Sequence, residues 1–391
     1  MRAFLVISAV LLVASGVAGV LLLGTEGKAR PPALRALSLQ KCQGLGEDET
    51  RACITREFQA MVKGQPDPRP AVEKISDAAW DEGGDLLAEC HGIMHTVGRT
   101  YARDAGVDLA TLMNYLPQAN DPGCSAGFAH GMVTSVAGQI DPSQPREAAA
   151  VCGEADTRFQ RYSCVHGFGH AFMRLYDDLL EPALELCTQL GEDAAPDCAQ
   201  GAYHDYWFAV VGADDTKMKR DAVTDPVELC RDQPEQYVRP CWYRAYIDNR
   251  PEGFQVRSSA DVEGLCRGLG GLQREACVTA ASVIGPSDPA AQLQLCAELG
   301  DTLDAANCVR GTKVQNLLDA PTETYVGLIE QCSTFRRAAR VACYRWLGKT
   351  LAVLTNGEFA RKGCPQLPGA AARRECEAGA ATMDEALVTF S

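Results

Sequence analysis

Apolar stretches of helical length recur along the chain and are separated by short polar loops. Residues 198–211 and 343–354 are two of them, and each opens at a cysteine. The cysteines in this position follow one another at intervals of 31 to 43 residues from Cys164 to Cys376, an interval typical of a two-helix repeat. The pattern predicts an all-α fold of about ten helical hairpins over residues 38–391, arranged as an α-solenoid or as a closed α/α ring.

An earlier cysteine precedes most of these stretches by 11 or 12 positions. Several of these cysteines lie in the pattern Leu-Cys-x-x-Leu-Gly, where the glycine after an apolar run indicates the C-terminal end of a helix. Examples are Leu186–Gly191, Leu265–Gly270 and Leu295–Gly300, and Cys42 to Gly46 is similar. We therefore predict disulfides that join the end of one helix to the start of the next. They pair Cys42 with Cys53, Cys152 with Cys164, Cys187 with Cys198, Cys230 with Cys241, Cys266 with Cys277, Cys296 with Cys308, Cys332 with Cys343, and Cys364 with Cys376.

Two further cysteines, Cys90 and Cys124, do not fit that spacing. Leu112–Leu116 repeats the pattern with Met113 in the place of the first cysteine, and Cys124 follows Met113 by 11 positions. That hairpin therefore lacks a disulfide of its own. By elimination we predict that Cys90 pairs with Cys124 and links neighbouring hairpins.

The N-terminal segment has the composition of an export signal. Residues 3–24 contain no charged side chain and follow Arg2, which predicts a signal over residues 1–26 and a linker over 27–37. The apolar stretch is about long enough to span a bilayer and favours an uncleaved anchor, whereas cleavage would release the protein. No cysteine precedes Cys42, and disulfides persist outside the cytoplasm. The predicted location is the periplasmic or extracellular side of the cytoplasmic membrane.

The composition describes a folded, acidic protein. The 391 residues are 46 % hydrophobic and 23 % charged, with a formal net charge of −14. Nucleic-acid binding needs clustered basic residues, so the charge argues against that partner. The predicted partners are the membrane, through the N-terminal helix, and an extracytoplasmic protein.

All six histidines fall in four consecutive hairpins at about residues 84–211, and the hairpins at about 212–391 contain none. Each of the four carries the motif Gly-x-x-His at the same position when their second helices are aligned. Residues three apart lie on one helical face, so each histidine has a bare patch one turn before it. A neighbouring helix, a ligand or a cofactor can approach there. The pairs are Gly92 and His95, Gly127 and His130, Gly167 and His170, and Gly201 and His204.

Two of these helices carry a further histidine four residues earlier, His91 and His166. That spacing places both rings on one face, where they can chelate a metal. Glycine follows each of the two, so the general base of the zincin motif is absent. The chain can be divided into two copies of one unit, with predicted metal ligands His91, His95 and His130 in the first and His166, His170 and His204 in the second.

Three imidazoles with an open position suit zinc, copper or iron, and three plus three would suit a coupled dicopper centre. Met94, Met132 and Met173 lie within three residues of the histidines. They favour copper if they face the site, and otherwise fill the core. Non-covalent haem is another possibility, since no Cys-x-x-Cys-His motif is present for covalent attachment.

The chemistry of such a site is not specified by any catalytic motif. Candidate proton-transfer or orienting groups adjoin the histidines: Asp205, Glu89, Tyr203 and Arg99, with Tyr101, Tyr162 and Tyr206 in the same region. The first functional hypothesis is a metal-dependent exported protein, either an oxidoreductase or an oxygen- or metal-handling protein. The alternative is a non-catalytic helical scaffold for protein–protein interaction. Convergence of the two histidine sets distinguishes them, and it requires the array to curl tightly.

Overall fold

The computed structural model describes residues 37, 39–82, 84–117, 123–211, 225–248, 255–286, 288–312, 322–354 and 363–381. These residues form seventeen α-helices and no strand. The predicted signal at residues 1–26 lies outside them. Within the described ranges, no helix is both long and apolar enough to cross a bilayer.

The helices are numbered in chain order. They are α1 (Glu47–Val62), α2 (Arg69–Glu82), α3 (Gly84–Ala105), α4 (Cys124–Ser135), α5 (Pro145–Ala149), α6 (Arg158–Leu175), α7 (Leu180–Gln189), α8 (Ala195–Val211), α9 (Pro226–Arg231), α10 (Glu235–Asp248), α11 (Ser259–Leu265), α12 (Gly271–Val283), α13 (Pro289–Ala297), α14 (Thr302–Arg310), α15 (Thr322–Thr334), α16 (Arg337–Leu354) and α17 (Ala370–Ala381).

One layer of the molecule consists of the second helices of successive hairpins. They pack side by side in chain order, as α1, α3, α4, α6, α8, α10, α12, α14, α16 and α17. Another helix or a 3-10 turn precedes each of them and completes the hairpin, for example α7 before α8 and the turn Leu112–Asn114 before α4. The predicted helical repeat is therefore present along the described chain.

Capping residues in the loops explain where several helices begin. Asp225, Asp288 and Asp301 precede α9, α13 and α14, and each side chain accepts hydrogen bonds from backbone N–H groups of the first turn. Proline occupies the first position of α9 and of α13. A backbone N–H at that position would have no hydrogen-bond partner within the helix, so proline loses nothing by lacking one. The polar loops thus start a new helix soon after the previous one ends.

The prediction for the four glycines of Leu-Cys-x-x-Leu-Gly is correct at Gly191 and wrong at Gly46 and Gly270, while Gly300 directly precedes the N-cap residue Asp301 of α14. Gly191 follows α7 with a φ of 102°, the left-handed conformation of a helix C-terminus. Gly46 and Gly270 instead precede α1 and α12 as extended N-cap residues. In those two loops the left-handed turn lies two residues earlier, at Gly44 and Gly268.

Nine disulfides join all the cysteines in the predicted pairs: eight follow the spacing, and Cys90 pairs with Cys124 as elimination predicted. The second cysteine of a pair usually lies inside its helix rather than at the start. Cys164, for example, follows a polar first turn that begins at Arg158. The chain-entropy model gives about 3 kcal/mol for each short loop and about 4 kcal/mol for the 34-residue loop of Cys90 and Cys124.

A continuous apolar core runs along the array from Phe58 to Cys376. Helix α4 lies deepest, because every residue from Cys124 to Thr134 is buried. A helix that is enclosed on all sides packs against neighbours on every face. His130 is therefore inside the molecule, surrounded by the other histidine-bearing helices.

Candidate metal centre

Glycines bring the histidine-bearing helices into close backbone contact. A Cβ atom at Gly98 or Gly127 would collide with the carbonyl oxygen of Phe128 or His91 across the contact between α3 and α4. A Cβ atom at Gly169 or Gly201 would do the same between α6 and α8. Only glycine allows backbones to approach this closely. The four helices therefore form two tight pairs, α3 with α4 and α6 with α8.

The bare patches predicted before the histidines are covered by protein atoms. Gly127 and Gly201 occupy equivalent places, the first against the carbonyl of His91 and the second against the carbonyl of His166. The side chain of Val133 packs on Gly167, and Arg51 approaches Gly92. The glycines thus position helices, and the duplication seen in the sequence is repeated in the packing.

The six imidazole rings converge on one place. Their neighbouring centroids lie 4.4 to 5.9 Å apart. His91 on α3 and His204 on α8 are three helices apart in the array, yet their ring centroids are 5.7 Å apart. The array therefore curls tightly enough for α3, α4, α6 and α8 to surround a single cluster. We call these six side chains the histidine cluster.

Two groups of three histidines have ligand nitrogens within 4.8 Å of one another and can hold a metal ion. The first is the predicted set His91, His95 and His130, in which the Nε2 atoms of His91 and His95 are 3.1 Å apart. The second is His130, His166 and His170. His204, the predicted third member of that set, lies outside both groups, although its ring centroid is 5.1 Å from that of His170.

Several ring nitrogens of the histidine cluster are buried and have no hydrogen-bond partner. They are both nitrogens of His130 and the Nε2 atoms of His166 and His170. Buried polar atoms in folded proteins are almost always hydrogen-bonded, since leaving one without a partner costs about 1–3 kcal/mol. Four such atoms directed into one cluster indicate a place for a ligand.

Outer hydrogen bonds hold the two histidines of α6. Nδ1 of His170 lies 2.7 Å from Oδ1 of Asp205. Tyr162 donates its hydroxyl hydrogen to Oε1 of Gln200 at 3.0 Å, so the hydroxyl oxygen, 3.3 Å from Nδ1 of His166, accepts from that ring. Each ring then carries its proton on Nδ1 and presents the lone pair of Nε2 to the cluster, as metal-binding histidines do.

Burial keeps four rings of the histidine cluster neutral. It lowers the pKa of His95, His130, His166 and His204 well below the usual 6.5, and neighbouring rings and the charge of Arg244 or Arg99 lower it further. Neutral imidazole is the form that binds metal ions. His91 and His95 remain partly exposed while the other four rings are buried, so the cluster is approached from α3.

Helix α10 adds a buried ion pair that the sequence analysis missed. Arg244 is 1 % exposed, and its Nη1 lies 3.6 Å from Oδ2 of Asp248. Oδ1 of Asp248 lies 4.0 Å from Nε2 of His204. Arg244 stands three residues after Cys241, where the histidine-bearing helices have glycine. A charged residue at a position otherwise occupied by a small one was the sequence pattern that could have revealed it.

The other residues named from the sequence are not all at the cluster. Asp205 and Tyr162 contact it, and Arg99 lies close enough to His95 to lower its pKa. Glu89 is ion-paired to Arg51 at 3.3 Å on the surface, and Tyr203 donates to Gln233 at 2.7 Å.

Two tyrosines and the three methionines of this region belong to the packing. Tyr101 donates to the backbone of Gln65, and Tyr206 packs against Trp207. The methionines are fully buried in the apolar core; they are Met94, Met132 and Met173.

An open groove of about 1410 Å³ follows α8, α10, α12, α14 and α16. Gln200 and Tyr243 line it near the histidine cluster. Because Gln200 accepts the hydrogen bond of Tyr162, and Tyr162 in turn contacts His166, one side chain connects the groove wall to the cluster. The groove therefore reaches the candidate metal centre through Gln200 and Tyr162.

Comparison with known protein families, with curated proteins and with solved structures finds no match to this chain. The class of protein is therefore defined by the fold and the site themselves. It is an all-helical array stapled by nine disulfides, with a cluster of six histidines that can hold metal.

Proposed function

We propose that the histidine cluster binds one or two transition-metal ions, with zinc, copper and iron as the candidates. The observation that carries the proposal is the 3.1 Å separation of Nε2 of His91 and Nε2 of His95. Two nitrogens that share a metal at about 2.0–2.1 Å from each are about 3.0–3.4 Å apart. The buried nitrogens of His130, His166 and His170 that lack hydrogen-bond partners support the same proposal.

A metal ion fits this arrangement better than haem. The rings pack against one another at centroid distances of 4.4 to 5.9 Å, so a porphyrin would have to displace several of them. Neutral imidazoles leave the charge of a bound ion uncompensated, and the carboxylates of Asp205 and Asp248 lie close enough to offset it. This ligand set supports an ion as the occupant.

The chemistry proposed for the site is that of an oxidoreductase or of an oxygen- or metal-handling protein. Bound zinc would act as a Lewis acid, whereas copper or iron would exchange electrons. The chain's own part is to exclude water around His130, His166 and His170, all at most 2 % exposed, and to admit the ion past His91 and His95. Asp205 and Tyr162 hold the protons of the α6 histidines away from the ligand side.

Metal analysis of the full chain, purified from a host that exports it, tests the proposal. We expect one or two ions per chain in at least one metal-supplemented medium, and loss of the metal in the double variant His95→Ala with His170→Ala. The matched control is Met94→Leu with Met173→Leu, which changes neighbouring core residues at nearly constant volume. Metal well below one ion per chain in every medium would contradict the proposal.

The nine disulfides indicate an oxidising, extracytoplasmic environment. We further propose that residues 3–24 tether the protein to the cytoplasmic membrane. The support is the length of this uncharged stretch. We expect the full chain in the membrane fraction with its N-terminal segment retained, as determined by mass analysis of the N-terminal peptide. A soluble product that begins after residue 26 would instead show a cleaved signal.

Convergence of the histidines favours the metal site over the alternative, an interaction scaffold. A straight array would have placed the two histidine sets in separate layers, whereas the rings of His91 and His204 are 5.7 Å apart. The groove along α8 to α16 remains the surface on which an extracytoplasmic partner would be sought.

A further inference from the structure

His130 holds a central position in the histidine cluster. Its ring centroid lies 5.1 Å from that of His91 and 5.3 Å from that of His95. The same centroid lies 4.4 Å from that of His166 and 5.3 Å from that of His170. His130 is also the one histidine that belongs to both groups of potential metal ligands.

His130 also differs from the other histidines in its hydrogen bonding. Both of its ring nitrogens are buried without a hydrogen-bond partner, and it is the only one of the six with both nitrogens in that state. His166 and His170 each use Nδ1 in an outer hydrogen bond and keep Nε2 for the cluster. A histidine with both nitrogens available has the ligand capacity for two ions.

We propose that His130 bridges two metal ions, with one ring nitrogen bound to each. His91 and His95 complete the ligands of one ion, and His166 and His170 complete those of the other. This inference rests on the proposed metal-binding function and adds the number of ions and their link. Imidazole carries one N–H proton, so the second metal–nitrogen bond forms on the lone pair released when that proton leaves to solvent. No change in metal oxidation state is required.

The surroundings of His130 favour such a bridge. A bridging ring has lost its N–H proton and is anionic, and the positive charge of the two ions that it joins would offset that negative charge. Arg244, ion-paired with Asp248, also acts electrostatically on His130 and on His166. Helix α4 holds the His130 ring in place. All of the first eleven residues of the helix are buried, and the helix contacts α3 through Gly127. His204, outside both groups, faces Asp248 instead.

Copper(II) is the probe that tests the bridge. The metal-free full chain is loaded with excess Cu²⁺, unbound copper is removed, and copper per chain and electron paramagnetic resonance intensity per copper are measured together. We expect two coppers per chain with most of the integrated resonance lost, because two ions joined through one imidazolate couple their spins. In the variant His130→Gln no imidazolate joins the ions, so we expect each bound copper to show the full electron paramagnetic resonance intensity of an isolated Cu²⁺ ion.

Met132→Leu is the matched control, since it changes a fully buried core residue two positions away on the same helix. It should keep two coupled coppers. If His130→Gln does not fold, the wild-type spectrum still decides. Two uncoupled coppers, a single copper per chain, or coupling that persists in His130→Gln would each overturn the bridge while leaving metal binding intact. A chain that binds no copper, zinc or iron would overturn both proposals.

Discussion

Asp205 and Tyr162 determine which nitrogen of each α6 histidine faces the cluster. The carboxylate at 2.7 Å from Nδ1 of His170 and the hydroxyl at 3.3 Å from Nδ1 of His166 both fix the proton on the outer side. An imidazole held this way presents one lone pair in one direction, and its basicity is raised by the outer partner. The ligand character of these histidines therefore depends on residues that would not touch the metal.

Asp205→Asn tests this dependence directly. The amide can still accept from His170, but it carries no charge and can rotate, so we expect metal affinity to fall about 10- to 100-fold. Asp193→Asn, an exposed position in the loop between α7 and α8, should leave the affinity unchanged. Competition titrations with a metal chelator measure both variants. Equal affinities in the two variants would show that Asp205 has no role in orienting His170.

Burial of neutral histidines predicts how stability depends on pH. The pKa of His95, His130, His166 and His204 is lowered in the folded protein, so between those values and 6.5 the unfolded chain binds more protons. The metal-free protein should therefore have its full stability above pH 6.5 and lose it as the pH falls, by about 1.4 kcal/mol per pH unit for each ring.

Denaturant unfolding of the metal-free protein at pH 7.5, 6.5 and 5.5, with disulfides intact, measures this effect. The carboxyl groups of Asp67 and Asp261, whose pKa values are lowered from 3.8, titrate below this pH range. A free energy of unfolding that stays constant from pH 7.5 to 5.5 would mean that the rings are already solvated in the folded state.

At the scale of elements, close helix contacts set the distances between the rings. The carbonyl of His91 packs on Gly127 and the carbonyl of His166 packs on Gly201, so both pairs of helices use one contact in equivalent places. Each contact lies one turn before a histidine of the cluster. The separation of α3 from α4, and of α6 from α8, is thus fixed by residues adjacent to the candidate ligands.

Gly127→Ala should separate α3 from α4. Alanine would usually stabilise a helix relative to glycine by about 0.5–1 kcal/mol, but here its Cβ collides with the backbone of His91. Overpacking of this kind costs about 1–3 kcal/mol, so we expect net destabilisation together with weaker metal binding. Denaturant unfolding and metal titration measure the two effects.

Gly264→Ala is the matched control, because a Cβ at this exposed position in α11 meets nothing within 4 Å. We expect unchanged metal binding and equal or slightly higher stability. If both alanine variants bind metal as tightly as the wild type, the backbone contact at Gly127 does not position the histidines.

The sequence was informative about individual hairpins because their determinants are local. Cysteine spacing predicted eight disulfide pairs and elimination gave the ninth, Cys90 with Cys124, and an apolar run marked each second helix. The local sequence did not determine whether a loop glycine ends one helix or begins the next. Gly46 and Gly270 serve as N-caps because the turn had already formed at Gly44 and Gly268. A glycine at a loop permits both roles, and only the loop geometry selects one.

At the scale of the whole molecule, the curl of the array creates the candidate site. Spacing along the chain could place each histidine on a helix face, but it does not determine the angle between successive hairpins. That angle brings His91 next to His204, with ring centroids 5.7 Å apart. Arg244 and Asp248 were missed because α10 carries no histidine, although it packs directly against α8 and reaches His204 through Asp248.

The central claim is that the histidine cluster is a metal site, and X-ray absorption at the edge of the metal that the purified full chain retains tests it most directly. We predict a first shell of nitrogen scatterers at about 2.0–2.2 Å, with the outer-shell scattering of several imidazoles. A first shell dominated by sulfur or by carboxylate oxygen, without imidazole scattering, would contradict the claim.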